Sequence, residues 1–182
     1  MANNNFKITV KRQYISYGLA FNPEDFNEVK NCKSDAIRNK PCYCGLWASP
    51  IDAQYGWLNF CKSEGVPCYM QKWTRFVLKP SARIRKIDSY EDYKRFMTSY
   101  KDVTDLESNH FDWEKIAKDY DAVEVTYNAV LECRVKDAEQ YNLYMEGKAP
   151  HQKQEEYLES WSCDSIVILH KDVIQVLETK DN

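Results

Sequence analysis

A chain of 182 residues with 43% hydrophobic and 29% charged residues can bury a real core, which excludes disorder and fits one domain. Its net charge of −3 and pI near 5.7 exclude the broad positive surface of nonspecific nucleic-acid binding. No apolar run approaches the ~20 residues that cross a bilayer, and residues 1–7 lack the apolar segment of a signal peptide, so a cytoplasmic protein is expected. Its seven cysteines, an odd number, then read as reduced thiols.

Taken in order, Phe6 to Tyr17 alternates apolar and polar residues and predicts a first strand, punctuated by Gly18. Asn22 caps a short helical turn from Pro23, and residues 31–41 read as a loop. Cys42 to Ala48 predicts a second strand. Ile51 to Ser63 has helical apolar spacing, with Gly65 as its stop. Cys68 to Leu78 and Ala82 to Ile87 predict two further strands. Ser89 then caps a helix over Tyr90–Tyr100, and Phe111 to Tyr120 carries one apolar helical face. Ala122 to Tyr127 reads as a strand, residues 134–159 as a polar excursion with helix near 154–159, and residues 162–169 and 173–177 as the last strands. Strands and helices mix without regular alternation, so the expected class is α+β, a single domain over residues 1–182.

Two places carry chemistry. In Gly45-Leu-Trp-Ala-Ser-Pro50 an apolar run meets a proline, which predicts that the strand stops near Ser49. That puts a hydroxyl at a strand end beside Trp47, ahead of a segment rich in aromatics, and functional groups concentrate at such places. In Asp121-Ala-Val-Glu-Val-Thr, Glu124 interrupts an apolar strand. Alternation places Glu124 with Ala122 and Thr126, opposite Val123 and Val125. If the valines face the core, the carboxylate faces a cleft or solvent, because desolvating it alone is costly.

In their order and spacing these segments resemble the ADP-ribosyltransferases. Tyr14-Ile-Ser-Tyr17-Gly18 matches the family's first strand, Gly45-Leu-Trp-Ala-Ser49-Pro its second, and Glu124 its late strand with a lone glutamate. Trp161-Ser-Cys-Asp-Ser-Ile-Val-Ile-Leu looks like the final core strand of small bacterial and phage members. The resemblance implies two small packed sheets with flanking helices, and transfer of ADP-ribose from NAD to an unidentified macromolecular acceptor, or hydrolysis of NAD. Glu124 would stabilise the ribosyl oxocarbenium, and Tyr14, Ser16, Tyr17, Trp47, Ser49 and Tyr55 would contact NAD. Aromatic walls suit the flat cationic nicotinamide ring. The family's first-strand Arg or His is replaced by Ile15 or Ser16, with Arg12 two residues before Tyr14, and its second acidic or Gln residue by Ala122.

Other readings compete. Cys42 and Cys44, one residue apart, fit zinc-ligand spacing poorly, and no metal site is assigned to them or to Cys32, Cys61 and Cys68. A Cys163–His170 nucleophile is weaker than Cys163 as a small packed residue. A non-catalytic module would use the thirteen Tyr and five Trp as a contact surface for a protein partner. A transferase must gather Glu124, Ser49 and Tyr17 in one pocket; an interaction module scatters them.

Overall fold

A computed structural model describes residues 11–18, 20–31, 41, 44–67, 72–102, 111–148, 158 and 161–181. Expectations for residues 6–10, 32–40, 42–43, 68–71 and 154–157 lie outside them. Among the described residues, seven strands form the core: β1 (Gln13–Tyr17), β2 (Leu46–Pro50), β3 (Lys72–Leu78), β4 (Ile84–Ile87), β5 (Ala122–Val125), β6 (Ser165–Ile168) and β7 (Ile174–Asp181). They lie in one sheet in the order β4-β5-β6-β2-β1-β3-β7. The two packed sheets expected from the sequence are therefore replaced by a single seven-stranded one, and the class is mixed α and β. β4 and β5 are parallel, and the crossover between them carries α2 (Tyr90–Tyr100) and α3 (Trp113–Asp119).

β2 changes partner along its length. Leu46, Trp47 and Ala48 pair with Ile168, Val167 and Ile166 of β6, whereas Ser49 and Pro50 pair with Ile15 and Tyr14 of β1. The strand ends where it is expected to, near Ser49, with Pro50 as its last residue. A proline is tolerated there because β6 pairing has already ended at Ala48. Gly45, just before this strand, has φ 75°, and a Cβ there would lie 2.8 Å from the Ile168 carbonyl oxygen, so only glycine lets the chain approach β6.

Each face of the sheet packs its own core. Val123, Val125 and Val167 meet Tyr93 and Phe96 of α2, Trp113 and Ile116 of α3, and Ala129, Val130 and Cys133 of α4 (Tyr127–Met145). On the other face Tyr14, Leu46, Ala48, Phe76, Ala122, Ile166 and Ile168 cluster. Helix starts follow their caps. Ser89 Oγ accepts from the Asp92 amide, Asp112 Oδ1 from Lys115 and Thr126 Oγ1 from Ala129. The Thr126 cap corrects the strand expected through Tyr127. α4 begins there and runs into the stretch expected to be a polar excursion. α1 (Trp57–Ser63) is shorter than the helix expected from Ile51, because residues 51–56 turn before it.

Candidate functional site: a tryptophan cleft and a sealed carboxylate

Ile15 and Tyr17 of β1, Trp47 and Ser49 of β2 and Ser165 of β6 project on the helix-bearing face and line a cleft of about 370 Å³. Trp57 at the start of α1, Val66, Pro67 and residues 161–163 complete its walls. Its volume falls in the range of small-molecule pockets, roughly 300–1,000 Å³. Trp47 packs on Trp161 with ring centres 4.7 Å apart and planes tilted by 56°, a fixed indole corner. Trp57, 40% exposed, stacks on Phe60 at 5.3 Å and forms an outer wall. Among the described residues that line the cleft, none carries a charged side chain.

Ser49 is the strut of this arrangement. Its hydroxyl donates to the Asp164 carbonyl at 2.9 Å and accepts from the Trp57 amide at 2.9 Å. Gly56, the residue before α1, has no side chain to cap it, so a serine from β2 does that work across eight residues. A Cβ on Gly56 would sit 3.3 Å from the Ser49 Cβ, so the missing side chain gives Ser49 room to reach. With its proton committed, Ser49 can accept one more hydrogen bond and donate none.

Asp164 ties the neighbouring loops together. Its Oδ2 accepts from the Tyr55 amide at 3.0 Å and its Oδ1 from the Tyr127 amide at 2.9 Å. The second contact places negative charge at the start of α4, where the helix dipole favours it.

Glu124 lies elsewhere. Glu124 pairs with Ile166, and Ile166 with Ala48, and both partners belong to the second core cluster; Ala48 also borders the cleft, but Glu124 does not line it. Cross-strand partners share a face, so Glu124 projects away from the cleft. It is 3% exposed. Arg12 Nη1 donates to its Oε1, and the Tyr14 hydroxyl donates to its Oε2 at 3.1 Å. Arg12, 38% exposed, also donates through Nε to Asp52 at 3.0 Å and lies over the Tyr14 ring. Burial opposes the Arg12 charge, but the bonds to Asp52 and Glu124 outweigh it and hold its pKa above the ordinary value. Burial first, then the Glu124 charge, pushes Tyr14 well above an ordinary tyrosine, so its hydroxyl stays protonated as a donor.

The predicted site residues therefore divide. Tyr17, Trp47 and Ser49 meet at the cleft. Tyr14 and Ser16 are buried on the opposite face, with Tyr14 on Glu124. Tyr55 is not in the cleft lining; its ring stacks on Tyr127 at 4.4 Å. Cys163 lines the cleft and His170 does not. The two flank opposite ends of β6, where His170 Nε2 meets the Ala117 carbonyl. Sequence reading missed Trp57 and Trp161 as walls. Trp57 follows Tyr55 by two residues and Trp161 opens the last motif, so both were visible as residues, though their convergence was not. It also missed the pairing of Arg12 with Glu124, which joins residues 112 apart in sequence. Comparison with protein-family models, curated proteins and solved structures finds no match.

Proposed function

We propose that this chain binds a planar aromatic ligand in the tryptophan cleft, and that NAD, entering by its nicotinamide ring, is the first ligand to test. One observation carries the reading: three indoles and Tyr17, brought from β1, β2, α1 and the segment before β6, surround a single cavity. Flat apolar walls reward a flat ring by area burial and offset stacking. Ser49 offers an acceptor suited to a carboxamide N–H, and the Ser49–Trp57 bond fixes the outer wall before a ligand arrives.

Titrating NAD and nicotinamide mononucleotide against tryptophan fluorescence tests the proposal. The expected result is saturable quenching that Trp47→Leu weakens by about tenfold, the loss of roughly one stacking contact. Absence of saturable binding by either ligand rejects it.

The enzymatic form of the proposal is ADP-ribosyl transfer to a macromolecule, or NAD hydrolysis, on an ADP-ribosyltransferase-like fold. In it the glycosidic bond breaks, nicotinamide leaves with the electron pair, and acceptor or water bonds to the ribose carbon and loses a proton. The Arg12–Glu124 pair favours it to the extent that it keeps a carboxylate in place on β5. The side of the sheet weighs against Glu124 as the group that meets a ribose at this cleft. Nicotinamide release from NAD, with and without cell extract, tests the enzymatic form, and Glu124→Gln must abolish that release if this carboxylate is the catalytic one. A non-catalytic contact surface for a protein partner is favoured by the separation of Glu124 from Ser49 and Tyr17, whereas the gathering of three indoles with Tyr17 favours a ligand.

A further inference from the structure

We infer that the cleft selects positive charge beyond what a flat ring alone provides, so that its ligand class is N-alkylated cations, N-alkylpyridinium rings and quaternary ammonium heads alike. The inference rests on the reading that the cleft is a ligand site. Its walls are faces and edges of Trp47, Trp57 and Trp161 with Tyr17, and an aromatic face carries negative electrostatic potential. No lysine or arginine side chain stands among the described lining residues to oppose a cation, and no carboxylate to hold one by a salt bridge. The rings are therefore the groups left to discriminate charge.

Hydrogen-bond supply points the same way. A primary ammonium brings three N–H donors that need acceptors once water is excluded. Of the serines that line the cleft, Ser49 already takes the Trp57 amide and retains one lone pair, and the Ser165 hydroxyl is committed to the Cys163 carbonyl. A quaternary or N-alkylated nitrogen brings no N–H, so it loses little on entering an aromatic site. The tilt of 56° between Trp47 and Trp161 suits a rounded group at least as well as a flat one, because the two planes form a corner rather than a slot.

The test uses the full chain, tryptophan fluorescence, and two pairs of nearly isosteric probes. Choline is compared with uncharged 3,3-dimethylbutan-1-ol, and 1-methylnicotinamide with uncharged nicotinamide. The expected result is that each cation binds about tenfold more tightly than its neutral partner, the ratio for cation–π attraction in a half-desolvated site. Trp57→Leu, at an exposed position whose loss leaves the core untouched, should collapse both ratios toward one. Equal affinity within both pairs, or preference confined to the pyridinium pair, overturns charge selection while leaving ring binding in place. Failure of all four probes to bind overturns the ligand-site reading, and the inference with it.

Discussion

The two faces of the sheet treat their polar groups in opposite ways. On one, Glu124 is held by Arg12 and Tyr14 and closed from water, so its charge is satisfied before any ligand arrives. On the other, the cleft keeps uncharged walls rich in aromatic rings, and one of its serines, Ser49, holds a tryptophan in position. A buried charge with good partners stiffens a fold but gives up reactivity, whereas an uncharged aromatic cleft retains its capacity to bind. Residues of adjacent strands can thus serve separate purposes when alternation sends them to opposite sides.

Breaking the sealed face should have the largest effect. Arg12→Met leaves Glu124 buried without its cation. We expect about 2 kcal/mol of lost stability in urea unfolding, below the value for a fully buried pair because Arg12 is partly exposed. Cleft binding in that variant should stay within about twofold, since the two sites share no side chain. Glu124→Gln, which keeps the shape, should likewise leave binding intact, and a folded Gln variant that no longer binds the ring would join the two faces into one site.

Ser49→Ala sharpens the comparison from the cleft side. It removes the cap on α1 and one bond to Asp164, a loss of about 1 kcal/mol. It should also weaken ring binding, because Trp57 is no longer held. Unchanged binding would mean that Trp57 needs no strut.

The smallest effect lies at a surface pair that belongs to neither site. Arg83 bonds Asp121 through Nε and Nη2, and these bonds, with the Arg83 charge, hold the Asp121 carboxyl below its ordinary value. A lowered folded pKa means that the stability is present above the ordinary carboxylate pKa of ~4 and fades as pH falls through the folded value. Asp121→Asn should therefore flatten the acid limb of the stability–pH curve and leave neutral ligand binding unchanged. An acid limb identical in the variant would show that the pair contributes nothing.

Much of this organisation is legible in the chain. Ser89 and Asn22 announce their caps, and β-branched alternation marks β4 and β5, because local rules govern those stretches. The cleft was half legible: Trp47 and Ser49 stood out beside Pro50, while Trp161 depends on β6 lying next to β2, a pairing across more than a hundred residues. α4 escaped because it buries only Ala129, Val130 and Cys133 near its start and leaves its second half exposed, so no apolar stripe repeats along it. The side chosen by Glu124 was legible as alternation, but that its own face was a second core was not. Arg12, two residues before Tyr14, reaches the carboxylate only because β1 and β5 belong to the same sheet.

The most direct measurement is an NMR titration of the isotopically labelled chain with NAD, reading side-chain N–H signals. The indole signals of Trp47, Trp57 and Trp161 should move in step with saturation while the Arg12 Nε–H signal stays still. Movement of Arg12 with silent indoles would contradict it and return the ligand to the glutamate face.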